Sequence, residues 1–261
     1  MKLSVVLISK NEIRNIRACL ESVSFADEVI VVDSGSNDGT VEEAQRLGAK
    51  VTSTDWPGFG PQKNRALDQA AGDWVLSIDA DERVTPKLQR EILEAIGSSA
   101  HVAYALPRLT NFCGTWIHHS GWYPDYNVRL FRRDHARFSP DLVHESVMIR
   151  NGDVGKLKSP LIHYSFRKQE DFLRKMVQYS LLGADQAYLK GRRSSLTKAI
   201  AFSFIDFVRM FIWRRGFLDG RAGLIIAILS AEAMFQKYLG LALIPKTQTH
   251  ADPPPPVRFS E

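Results

Sequence analysis

Apolar positions along the first hundred residues alternate between two rhythms. Leu3 to Ile8 is an apolar run, the mark of a strand buried on both faces, and Ile13, Ile16, Leu20 and Val23 then recur at helical spacing. Val29 to Val32 is a second buried strand, inside Glu28–Asp33. Thr40-Val41-Glu42-Glu43 has the pattern of a capping box opening a helix that ends before Gly48. Ala49 to Ser53 is a short third strand. Pro61 stands where a first helical residue would, and Gly72 follows that helix's end. Trp74 to Ile78 is a fourth apolar strand, and Thr85-Pro86 caps one more helix through about Ile96. Such alternation predicts an α/β fold whose mostly parallel sheet carries helices on both faces, with ligands beyond the carboxyl ends of the strands.

From about Ala100 to Tyr164 the pattern changes to aromatics, His and Arg, with short strand-like runs at Val102–Leu106, Val128–Phe131 and Val147–Ile149. This is read as the second half of the same sheet plus loops over the site. From Ser165 the chain turns helical and basic. Lys246 to Glu261 carries four consecutive prolines and reads as a disordered or extended tail. The expected division is a catalytic domain over 1–164, split at about 100 into a nucleotide half and an acceptor half. A basic amphipathic helical region over 165–245 and the tail over 246–261 follow.

Charge sharpens that division. The 261-residue chain has a net charge of +5, but 12 Lys and Arg against 5 Asp and Glu lie between Ser165 and Arg221, leaving the remainder slightly negative. A segregated positive segment predicts a surface patch for an anionic membrane or polyanion, and no nucleic-acid partner is expected. Ala199 to Trp213 is nearly all apolar, with Asp206 and Arg209 on one helical face and Lys198, Arg214 and Arg215 as flanks. Ala222 to Ala231 is another apolar run, ended by Glu232. Neither run reaches the roughly 18 uncharged residues of a spanning helix, so helices lying in the interface are expected. The alternative is packing against the catalytic core or a partner subunit. Two cysteines, Cys19 and Cys113, and a start without signal-peptide character lead to the expectation of a cytoplasmic protein, peripheral on the inner face of the membrane.

The chemistry is expected at Asp79-Ala80-Asp81, directly after a buried strand. Two carboxylates flanking one small residue can share Mn²⁺ or Mg²⁺ with a diphosphate; otherwise the pair caps the next helix. Ser9, Asn11 and Glu12 follow the first strand, and Asp33-Ser34-Gly35-Ser36-Asn37-Asp38-Gly39-Thr40 follows the second. These small polar residues at neighbouring strand ends suit a nucleoside, with Asp33 either accepting from a base N–H or forming the turn. Neither GxGxxG nor GxxxxGK[ST] is present, which argues against dinucleotide and P-loop readings.

With Gln62-Lys63-Asn64-Arg65-Ala66-Leu67 and Asp79-Ala80-Asp81-Glu82 added, these segments resemble family 2 glycosyltransferases in order and spacing. The resemblance implies the GT-A fold, a Rossmann-like mixed sheet flanked by helices, here with a C-terminal helical appendage. It also implies a nucleotide-sugar donor and inversion at the anomeric carbon. Gly121-Trp122-Tyr123-Pro124, Val128–Arg132, Val143-His144-Glu145 and Phe217-Leu218-Asp219-Gly220 resemble a narrower subgroup, the lipopolysaccharide inner-core β-1,4-glucosyltransferases. That implies UDP-glucose as donor and a lipid-linked core sugar as acceptor. The alternatives are transfer to a polyprenyl phosphate or another surface glycan, or a non-catalytic membrane-bound nucleotide-sugar-binding module.

By position, the resemblance assigns Ser9, Glu12 and Asp33 to the nucleoside, with Asp33 on the uracil, and Lys63 and Asn64 to the base and phosphates. Asp79 is assigned to the ribose or to metal through water, and Asp81 to the metal directly. The family's processive QxxRW signature is absent, which implies one sugar per encounter. An inverting transfer needs a general base; Glu145, beside His144, is the first candidate and Asp125 the second. Glu145 could instead pair with Arg129 or Arg132. His163 is a candidate third metal ligand, since GT-A enzymes often use a late histidine; a buried core histidine is the alternative. Trp122 and Tyr123 are candidates to stack on a sugar, or ordinary core. Arg129 and Arg132 are candidates for acceptor phosphates, or solvated surface arginines.

Overall fold

A computed structural model describes residues 1–98, 100–139 and 146–244, and the chain divides into two compact units, Met1–Arg167 and Lys168–Glu261. The first unit opens with β1 (Leu3–Ser9), α1 (Ile13–Ser22), β2 (Glu28–Asp33), α2 (Thr40–Arg46), β3 (Lys50–Ser53), α3 (Phe59–Asp68) and β4 (Trp74–Ser77). It continues with β5 (Glu82–Arg83), α4 (Pro86–Ser98), β6 (Ala103–Phe112), β7 (Thr115–Trp116), β8 (Asp125–Arg132), β9 (Ala136–Phe138), β10 (Val147–Ile149), β11 (Val154–Lys156) and β12 (Leu161–Phe166). The second unit holds α5 (Gln169–Leu189), α6 (Leu196–Val208) and α7 (Gly220–Leu243).

The main sheet runs in the order β3-β2-β1-β4-β8-β6-β12-β5. Its first four strands are parallel, β8 enters antiparallel between β4 and β6, β12 is parallel to β6, and β5 closes the edge antiparallel to β12. β9 and β10 form a separate antiparallel pair. Both faces are covered, which explains the apolar runs. Leu3, Val5 and Leu7 point to the side where Ile16 and Leu20 of α1 and Leu88 and Ile92 of α4 pack. Val6, Ile30, Val32, Val75 and Phe131 point to the side where Ala66 and Leu67 of α3 pack. Period-two alternation with core on both sides leaves no polar face to read.

Three expectations change on inspection. Thr40 is the first residue of α2 and makes no capping box. Gly39 precedes it in the left-handed region (φ 92°), and Asp38 caps instead: its Oδ1 accepts from the Thr40 N–H at 3.1 Å and its Oδ2 from the Ile13 N–H at 3.1 Å. One aspartate therefore serves the starts of both α1 and α2. β6 runs on to Phe112, through Arg108, which pairs with Asp125, Thr110, which meets His163, and Asn111, whose Oδ1 accepts from the Gly114 N–H. Finally, α7 does not stop at Glu232. Together with the turn before it, Gly216–Leu243 has a mean hydropathy of 1.4 over its most apolar window and is long and apolar enough to cross a membrane, by length and composition alone.

Within the second unit, α6 and α7 are joined by a π-helical turn (Arg209–Trp213) and a 3-10 turn (Gly216–Asp219). Phe202 stacks on Tyr238 at 4.5 Å, and buried Asp206 accepts from Arg209 and from the Ser230 hydroxyl at 2.6 Å. Much of the apolar surface is left outside, including Phe204 (69% exposed), Ile212, Trp213 (71%), Phe217 and Leu218.

Behind the first unit's site, the Ser4 hydroxyl donates to Glu28 at 2.6 Å and accepts from the Gly72 N–H at 2.8 Å. A Cβ at Gly72 would stand 2.6 Å from that oxygen and 2.8 and 2.9 Å from backbone atoms of Ser4 and Lys2. Backbone cannot yield there as a flexible side chain would. Gly72→Ala is expected to destabilise the protein by about 1–3 kcal/mol, measured by urea unfolding.

Candidate active site

The polar loops gather at the carboxyl ends of β1, β2 and β4, which lie side by side because β1 is central to the three. Ser9 and Asp33 are partners in register. Buried Asp33 accepts from Ser9 Oγ at 2.7 Å, Ser36 Oγ at 2.5 Å, the Gly35 N–H at 2.9 Å and the Ser36 N–H at 2.7 Å. Four donors fill the four acceptor positions of a carboxylate. The turn-forming role is thus the one seen, and a base N–H would have to displace one of these donors to reach Asp33. Asn11 holds the two loops together: its N–H donates to Ser36 Oγ at 2.7 Å and its Oδ1 accepts from the Asn37 N–H at 3.0 Å. Half-buried Glu12 accepts from Asn15, and Ser34 accepts from buried Gln62 at 2.9 Å.

After β4 the chain turns through Asp79, Ala80 and Asp81 into β5. Asp79 receives two cations, Lys63 Nζ of α3 at 3.0 Å and Arg129 Nη2 of β8 at 2.7 Å. Both cations are buried, while Asp79 keeps 30% of its side chain open. Burial raises its proton affinity, but Arg129 and Lys63 outweigh that and hold the carboxyl well below the usual range. Glu82 lies beneath with no exposure. It accepts from Arg129 at 2.8 Å and from the Asp79 N–H at 2.9 Å; burial and the charge of Asp79 push it up against the pull of Arg129.

Asp81 Oδ2 and His163 Nε2 stand 3.3 Å apart, with the other imidazole nitrogen 3.3 Å from Thr110 Oγ1. β12 places the histidine there: His163 pairs with Glu82 across β5 and with Thr110 across β6. Farther along the sheet, on β8, Asp125 is bound by Arg108 at 2.7 Å.

The remaining candidates separate. Asn64 spends its amide on the backbone of Phe138, donating and accepting at 3.0 Å. Arg129 faces Asp79 and Glu82. Arg132 lies at the other end of β8, opposite Trp74 at the start of β4, with its guanidinium over that indole. The structure does not bring it to the site. Trp122 packs between Phe112 and Phe166, and Tyr123 against His118, both half-buried. Glu145 and His144 lie outside the described residues. Glu82 and Arg108 received no role from the sequence. An arginine inside the apolar run Val128–Phe131 was the available signal, because a charge pointing into a core requires an opposite one.

The family model described as Glycosyl transferase family 2 matches residues 4–153. A lipopolysaccharide core biosynthesis glycosyltransferase, LpsC of Rhizobium meliloti, is 30% identical over 91% of this chain and 93% of its own. An uncharacterized glycosyltransferase of Rickettsia typhi is 33% identical over 90% of this chain and 84% of its own. Staphylococcus aureus TarS (1–349) in complex with UDP is 17% identical over 92% and 89% of the two chains, with a TM-score of 0.46. The chain belongs to glycosyl transferase family 2, and its mixed, helix-flanked sheet is of the GT-A type.

The depressed Asp79 carboxyl has a consequence for stability. Its contribution is complete above the unfolded carboxylate range and is lost as pH falls through the lowered folded value. Asp79→Asn strands Lys63 and Arg129, so it is expected to destabilise the protein by about 1–3 kcal/mol at pH 7. That deficit should shrink as pH falls below about 3.9, in chemical unfolding followed against pH.

Proposed function

We propose that this glycosyltransferase moves a hexose, with glucose from UDP-glucose as the leading donor, onto a core sugar of lipopolysaccharide with inversion. The observation that carries it is the Asp81–His163 pair beside an Asp79 already neutralised by two buried cations. Among the described residues no three His, Cys, Asp or Glu side chains form a ready cage for a cation. A carboxylate with an imidazole does fit Mn²⁺ or Mg²⁺ that keeps coordination positions for substrate phosphates, the common arrangement for these ions. Asp81 and His163 would hold the ion, Thr110 would orient the imidazole, and Asp79 would reach it through water. Bound there, the ion would supply positive charge to offset that of the departing diphosphate.

The chain's own residues supply the rest. Lys63 and Arg129 set a positive potential at the carboxyl end of β4, where the diphosphate would lie. Ser9, Glu12, Ser34 and Gly35 border the place for the nucleoside. The acceptor hydroxyl loses its proton to Glu145 or to Asp125, whose carboxylate Arg108 aims through an ion pair at 2.7 Å. Trp122 and Tyr123, partly open, offer faces for a sugar ring. The lipopolysaccharide core as acceptor rests on the similarity to LpsC.

The second unit fits an anionic membrane. Trp213, Phe217 and Leu218 are exposed at the α6–α7 corner, with Arg214 and Arg215 between them, so apolar insertion and headgroup attraction coincide. Attachment on the cytoplasmic face would bring a soluble donor to a lipid-linked acceptor. Transfer to a polyprenyl phosphate is the second reading, favoured by the length of the apolar segment Gly216–Leu243.

Two measurements test these readings. Mn²⁺-dependent hydrolysis of UDP-glucose is expected in the wild type and absent in Asp81→Ala, whereas Glu145→Gln keeps UDP binding and loses about a hundredfold in turnover. An unimpaired Glu145→Gln moves the base to Asp125. In sedimentation with phosphatidylglycerol vesicles, Trp213→Ala with Arg214→Ala and Arg215→Ala is expected to weaken binding by about tenfold or more, since each basic residue near the surface contributes about 1 kcal/mol. Binding equal to wild type refutes the membrane reading.

A further inference from the structure

The assigned roles leave out the most deeply buried charge at the site. Glu82 exposes none of its surface, yet it touches both halves of the apparatus. Its Oε1 accepts from Arg129, and Arg129 also reaches Asp79 on the donor side. The same Oε1 stands 3.9 Å from Arg108 Nη1, and Arg108 binds Asp125 on the acceptor side. Its Oε2 takes the N–H of Asp79 itself. Charges therefore alternate in one continuous run: Lys63, Asp79, Arg129, Glu82, Arg108, Asp125. The backbone of Glu82 adds another link, because it pairs with His163 across the β5–β12 ladder.

We propose that Glu82 is the positioning residue of the site: one buried acid that fixes Arg129, and through it Asp79, and Arg108, and through it Asp125. The inference rests on the glycosyltransferase reading for what binds there and on the contacts above for the coupling. A carboxylate wholly removed from water is costly unless charged donors meet it, and an apolar side chain would fill the same volume without that cost. What glutamate adds is direction, since its two oxygens set the orientation of one guanidinium and one peptide N–H and draw a second guanidinium toward them. Neither Asp79 nor Asp125 touches the other, so Glu82 is the residue through which a change on one side is felt on the other.

The test measures UDP binding in the presence of MnCl₂ by calorimetry, with no acceptor, together with UDP-glucose hydrolysis and thermal unfolding, on the full chain. Glu82→Gln keeps the shape and one acceptor oxygen but loses the charge. It is expected to remain folded, with UDP affinity and turnover each lowered about tenfold or more, the usual effect of removing a group that orients others at such a site. Affinity and turnover within about twofold of wild type overturn the proposal, being smaller than the coupling that residues of one hydrogen-bonded network show. If Glu82→Gln does not fold, Arg108→Gln decides. Arg108 binds Asp125 and lies off Asp79, so coupling through Glu82 predicts UDP affinity lowered about threefold or more even without acceptor. Unchanged affinity overturns the proposal. Wild-type protein that binds no UDP overturns the functional reading, and this inference with it; wild-type binding with indifferent variants overturns the inference alone.

Discussion

Opposite charges buried together at the end of β4 are the constraint on which the site depends. A charge that has left water must find its counter-charge within hydrogen-bond reach, or it neutralises or stays outside. Asp79, Glu82, Arg129 and Lys63 satisfy this mutually, and each comes from a different place: the β4 turn, the start of β5, the middle of β8 and the first turns of α3. The requirement explains why β8 carries an arginine within an apolar strand. It also accounts for the length of β6, which must run far enough to offer Arg108 and Thr110. The antiparallel insertion of β8 between β4 and β6 is the topological step that makes this possible.

β1, β2 and β4 were legible because both their faces are dry. Apolar runs at Leu3, Val29 and Trp74, punctuated by Gly and polar turns, leave few alternatives. The placement of Asp79, Asp81 and the Ser9–Asp33 ends followed from that pattern. Legibility fails where side chains serve the site instead of the core. Arg108 and Thr110 interrupt the hydrophobic rhythm of β6, so the strand reads shorter than it is. Thr40 shows a different failure. Its spacing to Glu43 matches a capping box, but the left-handed Gly39 turns the chain so that Asp38 reaches the helix start first. The partners of Arg129 were illegible for a third reason: pairing between β8 and β4 is non-local, and no short spacing encodes it. His163 was found through the family resemblance, and the ladder from β12 to β5 is what carries it to Asp81.

Charge is partitioned along the chain in a way that suits the two units to different surroundings. The first unit is nearly balanced, and its buried charges are matched internally. The second gathers the basic excess onto helices with large exposed side chains. Even there the buried acid Asp206 is matched by Arg209 and Ser230, so the unit obeys the rule that governs the charged cluster after β4. The exposed Trp213 and Phe217 follow no such rule. A large apolar surface left beside arginines is stable where water is replaced by acyl chains and headgroups carry the negative charge.

The same accounting bears on how a cation would enter. With Lys63 and Arg129 both on Asp79, that carboxylate is already matched by two cations, and Asp81 of the same turn stands 3.3 Å from the imidazole of His163. A divalent ion brought alone would meet one carboxylate and one histidine, a thin donor set, with two positive side chains close by to repel it. Brought with a diphosphate, it would gain oxygen donors, and the negative charge of the phosphates would be shared with Lys63 and Arg129. Binding of ion and nucleotide is therefore expected to be mutually dependent, because each cancels the electrostatic penalty that the other would face alone.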